Sequence, residues 1–161
     1  MPTQIIDWRY IPASEGWEDY EPDVALWLDV AKVDAAWRRT DQYIVPGGAN
    51  GQDQRYAKAG AWFAKYPFSN MLVINLKSNG RITFTDGRHR FSWLRDHDAK
   101  AIQFQVSPAD ADKLTALLGT DVVETVVNIP DCVARMSIEA AQNRNDIESS
   151  IRRPRGSPYV L

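Results

Sequence analysis

The sequence predicts a small α/β domain of the α+β kind, a mixed sheet flanked by helices, and three observations predict it. The chain has 161 residues, 44% of them hydrophobic, which suits one core in one domain. Apolar runs of period two alternate with stretches whose apolar residues recur at helical spacing. Glycine, proline and asparagine turn signals fall between those runs, with no internal repeat and no second domain.

Taken in order, residues 1–23 are rich in proline, glutamate and aromatics and read as an irregular arm or edge strand laid over the core. In residues 24–30, Val24, Leu26, Leu28 and Val30 share one face of a strand. Leu26, Val30, Val33 and Trp37 also fall at helical spacing, but the cleaner period-two run favours a strand followed by a helix over 33–40. Residues 44–54, with three glycines and a proline, form an exposed loop. A helix over 56–66 stops at Pro67. Strands over 71–76 and 81–85 flank the turn Ser78-Asn79-Gly80 and make a hairpin. Asp86-Gly87 breaks the second strand, and a helix follows over 88–97, with Phe91 and Leu94 facing inward. A strand over 101–106 leads to a helix with Ser107 as N-cap and Pro108 in its first turn, stopped by Gly119. A strand over 122–127, a helix over 133–143 with Met136 in the core, and a flexible basic tail holding Arg152, Arg153 and Arg155 complete the reading. The domain is thus expected over 24–148, between the arm and a tail over 149–161.

Bulk chemistry narrows the function. The formal charge is −2 and the isoelectric point about 5.7, so no global positive field draws in DNA, RNA or an anionic membrane, and nucleic acid is left with a local patch. Cys132 is the only cysteine, which rules out an internal disulfide and points to a reducing compartment. No basic stretch followed by an apolar run opens the chain, and nowhere do 18 apolar residues run consecutively, so a cytoplasmic protein with no membrane insertion is expected. The six tryptophans are expected mostly in the core, with a few left to line a groove.

The segment with a mechanism in it is FTDGRHR, residues 84–90. A strand ends at Asp86-Gly87, and a helix opens with Arg88-His89-Arg90. A helix start leaves backbone N–H groups free and carries partial positive charge. Gly87 lets the backbone approach a ligand, Arg88 and Arg90 offer forks that match phosphate oxygens, and His89 can donate or shuttle a proton. Four features agree on a phosphate or polyphosphate. The bland alternative is an ordinary turn and a solvated helix start. Arginines at the unfavourable end of the helix dipole tilt the balance toward a bound anion, which would relieve them.

The stretch ITFTDGRHRFSWLRDHDAKAIQFQV resembles the core of the ParB/sulfiredoxin superfamily, whose members carry a strand, a glycine-containing phosphate loop, a helix and a return strand. Gly87, His89 and Arg90 match the sulfiredoxin loop Gly-Cys-His-Arg, and Arg88 stands where that family's nucleophilic cysteine would be, so sulfinic-acid reductase activity is not implied. WRRTDQYIVPGG, RYAKAGAWF and DGRHRFSWLRDHDA together resemble the plasmid fertility inhibition factors of that superfamily, over roughly residues 24–106. That resemblance implies a nucleotide (ATP, with CTP as the alternative), Mg²⁺, ATPase and DNase activity, and a role in blocking conjugative or type IV DNA transfer by acting on a coupling or secretion-channel protein. It implies Gly87, Arg88, His89 and Arg90 as the phosphate loop. No counterpart of a partition protein's helix-turn-helix follows residue 107.

In an enzyme, Arg88 and Arg90 would neutralise the phosphate, His89 would be the acid, and Asp86 would hold Mg²⁺ or a water. On this reading Arg90→Ala weakens nucleotide binding more than His89→Ala. Arg39 and Tyr43, with Arg38 and Asp41, could reach across to the ligand or simply form a polar helix end. Gly47, Gly48 and Gly51, like Asn50, Gln52, Asp53 and Arg55, could serve a ligand or only a turn. Asp96 and Asp98 read as surface charge and His97 as a helix C-terminal histidine. Two other functions stay open: a non-catalytic protein-binding inhibitor with an exposed apolar patch around Trp8, Trp17 or Tyr20, and a toxin-like nuclease of the same superfamily.

Overall fold

The computed structural model describes residues 2–13, 16 and 21–130. The expected helix over 133–143, the basic tail, Cys132, Trp17 and Tyr20 lie outside the described residues. Among the described residues the order is β1 (Thr3–Arg9), β2 (Val24–Asp29), α1 (Val30–Trp37), α2 (Arg55–Lys65), β3 (Phe68–Asn70), β4 (Leu72–Leu76), β5 (Ile82–Asp86), α3 (Arg88–Asp96), β6 (Ala101–Val106), α4 (Pro108–Leu118) and β7 (Thr125–Asn128). This is the expected α+β domain with mixed sheets and flanking helices. None of these helices is long and apolar enough to cross a membrane.

Two sheets form. In the first, with order β2-β6-β4-β5, β6 and β4 are parallel and the outer pairs antiparallel. Its side chains sort by register. Leu28, Ile102, Phe104, Leu72, Ile74, Ile82 and Phe84 are buried on one face, while Trp27, Gln103, Val73, Asn75 and Thr85 take the other. Helices cover the buried face. Trp37 of α1 meets Phe84 edge-on at 4.8 Å between ring centroids, and Phe91 of α3 lies 5.2 Å from Phe84 and 6.2 Å from Phe104. Between β4 and β5 the register slips: Ile74 faces Phe84 but Val73 faces Asp86, so Thr85 is an extra residue in a bulge. The bulge ends the hairpin just where the DGRHR segment begins.

The second sheet, β3-β1-β7, was not foreseen in this form. Residues 3–9 are neither an irregular arm nor an edge: β1 is the middle strand, parallel to β3 and antiparallel to β7. Ile6 and Trp8 are buried, so Trp8 contributes to the core and not to a surface patch. The Trp8 indole donates to Thr125 Oγ1 at 2.9 Å, and that hydroxyl donates to the Ala101 carbonyl, tying the two sheets together.

Local rules account for most boundaries. Asp29 caps α1 by accepting from the Lys32 N–H at 3.0 Å. Gly80, at φ +81°, closes the β4–β5 turn. Pro108 opens α4 and Gly119 ends it, although the Ser107 side chain makes no cap bond.

Candidate functional site

The start of α3 is built from conflicting demands. Gly87 sits at φ +95°, and a Cβ there would come within 2.5 Å of Leu72 Cδ2, so both backbone and space call for glycine. No side chain caps α3 and no acidic residue lies in its first turn. The same holds for α2, which opens with Arg55 after the left-handed Gln54. Two helix starts, each short of acceptors and each headed by an arginine, therefore border one cleft of about 140 Å³. Its lining is Gln42, Arg55, Phe84, Thr85, Asp86, Gly87, Arg88 and His89. A cavity needs roughly 10–15 Å³ of such space to hold one water, so the cleft has room for a phosphoryl group.

The three basic residues of the motif part company. Arg88 reaches over the cleft and donates one N–H to the Gln42 carbonyl at 2.9 Å. Arg90 turns inward. Its side chain is 1% exposed, and it donates to Ser69 Oγ and the Asn70 carbonyl, each at 2.7 Å, and to Asp86 Oδ2 at 3.1 Å. Its Nε is buried without a partner among the described residues, and burial lowers its pKa against the pull of Asp86. The expectation that Arg90 presents a second fork to a ligand is corrected here: that fork is engaged by β3 and by Asp86, so Arg90→Ala acts on the fold.

His89 faces a third way. Its Nε2 accepts from the Gln52 N–H at 3.0 Å, which places the ring proton on Nδ1 when the ring is neutral. Burial, then the nearby Arg88 and Arg55 charges, hold its pKa down at about 4, with Asp53 opposing. At neutral pH His89 is thus an uncharged acceptor that pins the glycine loop, and a proton it gave to a substrate would have to leave from Nδ1.

The rest of the 44–54 loop is held from the other end of α3. Asp96 Oδ2 accepts from the Gly47 N–H at 2.9 Å and from the Tyr56 hydroxyl at 2.8 Å, and its Oδ1 pairs with Arg95 at 2.8 Å. Burial pushes the Asp96 pKa up, but Arg95, Gly47 and Tyr56 together outweigh it and leave it lowered. Arg95 also donates to Asp34 Oδ1 at 3.0 Å and to the Ile44 carbonyl at 2.8 Å. Asp96 is therefore a clamp inside the molecule and not a surface charge. Gly48, at φ +74°, lies so close that a Cβ would run into the Tyr56 ring at 2.3 Å.

The remaining candidates fall outside the cleft. Tyr43 packs on Trp37 and donates its hydroxyl to Asp34 Oδ2 at 3.2 Å. Arg38 pairs with the same Asp34 oxygen at 3.0 Å, and Arg39 offers its carbonyl to Arg81 at 3.5 Å. His97 stacks on Trp93 at the end of α3, and Asp98 accepts from Asn128. Of the residues that follow the glycine loop, Arg55 does line the cleft, whereas Gln42, also in the lining, is not among the expected candidates. Gln42 bonds both the N–H and the carbonyl of Phe84 on the free edge of β5, a role no motif announces. Arg55 carried a readable signal, the same unfavourable helix-start arginine that marked Arg88.

For Mg²⁺, the donor set is thin. Asp86 is the carboxylate in the cleft lining, and one of its oxygens accepts from Arg90. Among the described residues no three His, Cys, Asp or Glu side chains gather as a metal site. The residues fit a cation that arrives with phosphate oxygens and takes one carboxylate, as Mg²⁺ commonly does, and not one held by protein alone.

No family model matches the chain, and no curated protein matches it. Among solved structures, it is similar to the oncogenic suppression activity protein, a plasmid fertility inhibition factor, in its gold(I) cyanide derivative. The TM-score is 0.54 at 17% identity, over 78% of this chain and 68% of that one. The likeness is one of fold, and this α+β domain is thus shared with a plasmid fertility inhibition factor.

Proposed function

We propose that this chain holds the phosphate end of a nucleotide, ATP or CTP, in the cleft between the starts of α2 and α3, and serves as a fertility-inhibition-type protein that blocks conjugative or type IV DNA transfer. The observation that carries the ligand class is the convergence of Arg55, Arg88 and two uncapped helix starts on one small polar cleft. Gly87 supplies the left-handed turn that opens α3 at the cleft, Arg55 and Arg88 neutralise charge, and Asp86 would take Mg²⁺ carried by the phosphates, where the ion would supply further charge neutralisation. The biological role rests on the fold shared with a fertility inhibition factor. ATPase and DNase activity, with DNA as a partner through this patch, are the catalytic form of the proposal.

A specific observation favours a second, non-catalytic form, in which nucleotide regulates binding to a transfer coupling protein. His89, the expected acid, has its Nε2 engaged by Gln52 and is neutral at physiological pH. Calorimetric titration with ATP, CTP and ADP, with and without Mg²⁺, tests the ligand. Micromolar binding lost in Arg55→Ala/Arg88→Ala supports the cleft, and no heat from folded protein with any of the three refutes it. Suppression of plasmid transfer by Asp86→Asn and His89→Asn variants as strong as by the unsubstituted protein selects the non-catalytic form, and its loss together with hydrolysis selects the enzyme.

A further inference from the structure

On the other face of the four-stranded sheet lies a larger groove, about 550 Å³, between Val73, Thr85 and Gln105 on its floor and the chain segments 10–13 and 21–23 above. Its wall is tied down. The Gln105 amide donates to the Ile11 carbonyl at 3.1 Å and accepts from the Ile11 N–H at 2.6 Å, and the Tyr10 hydroxyl donates to the Asp23 carbonyl at 2.7 Å. The groove is mostly apolar, yet its charged lining is of one sign, Glu21 and Asp23, and neither carboxylate pairs with a described cation. The sequence reinforces that sign, for no lysine, arginine or histidine occurs between Arg9 and Lys32.

We infer that this groove docks an extended segment of a partner protein in which apolar side chains alternate with lysine or arginine. Charge complementarity selects the cation, since the acidic rim repels the phosphates that the basic cleft would take. The apolar side chains of Val73 on the floor and of Ile11, Pro12 and Pro22 in the wall select the interleaved apolar side chains. Pro12 and Pro22 in the wall lack N–H groups, so the segment is held by side-chain burial and charge and does not extend a backbone ladder there. This inference stands apart from the nucleotide reading, because none of its contacts needs Arg55 or Arg88.

The test is fluorescence anisotropy of the full chain with three short labelled peptides, alternating arginine with leucine, arginine with glycine, and glutamate with leucine. The arginine–leucine peptide is expected to bind at least tenfold tighter than either other. Val73→Lys, and separately Glu21→Lys/Asp23→Lys, are each expected to weaken it at least tenfold with circular dichroism unchanged. The second variant alters only exposed or half-buried carboxylates, so it remains a fair test if Val73→Lys perturbs the sheet. Equal binding of the arginine–glycine peptide, absence of binding, or full affinity in the Glu21→Lys/Asp23→Lys variant would each overturn the proposal.

Discussion

The two ends of α3 belong to one helix of nine residues and are opposite in chemistry. At the C-terminal end, polar groups are saturated: Asp96 accepts from Arg95, Gly47 and Tyr56, Arg95 donates to Asp34 and Ile44 as well, and His97 stacks on Trp93. At the N-terminal end they are not: no side chain caps the helix, Arg88 faces a cleft, and the Arg90 Nε has no partner among the described residues. The contrast teaches where to look for stability and where for binding. A saturated end fixes the loop and the helix. An unsaturated, positively charged end costs stability unless an anion completes it.

Substitutions can break this contrast. The largest expected effect is Arg90→Met, which strands the Ser69 hydroxyl, the Asn70 carbonyl and Asp86; about 3–4 kcal/mol of unfolding free energy should be lost in a denaturant titration. Next comes Asp96→Ala, which frees Gly47, Tyr56 and Arg95 at once; about 2–3 kcal/mol is expected, together with faster hydrogen exchange at Gly47.

His89 gives a smaller, pH-dependent effect. Its pKa in the folded state is about 4 against an ordinary 6.5, so between those values the unfolded chain binds more protons. Stability contributed by neutral His89 is then full above pH 6.5 and is lost as pH falls toward 4, by roughly 1–3 kcal/mol. The pH dependence of stability over that window should flatten in His89→Phe, so that the two curves are not parallel there, and a parallel pH dependence for the two would contradict the assignment. The smallest stability effect is that of Arg88→Ala, under about 1 kcal/mol, although it should weaken phosphate binding at least tenfold.

Much of this was legible in the sequence because it is local. Period two marked β2, short apolar runs bounded by turns marked β4 and β6, and the Asp86-Gly87 break placed the start of α3. What escaped was non-local. That β1 is a central strand depends on β7, more than a hundred residues away, and on β3, whose three residues are too few for a period to show. The motif was found, but sequence order alone could not show that Arg88, His89 and Arg90, about 100° apart around a helix, point respectively to a cleft, a loop and the core. Asp96 read as surface charge because two of its partners, Gly47 and Tyr56, are brought in by the fold from 40 or more residues away.

The most direct test of the account is to measure ATP affinity and thermal unfolding together for Arg88→Ala and Arg90→Lys. The account predicts a dissociation: Arg88→Ala keeps its melting temperature and loses binding, while Arg90→Lys melts several degrees lower yet binds ATP normally where it is folded. Wild-type affinity in Arg88→Ala, or an equal loss of binding in folded Arg90→Lys, would contradict the division of the motif into a binding arginine and a structural one.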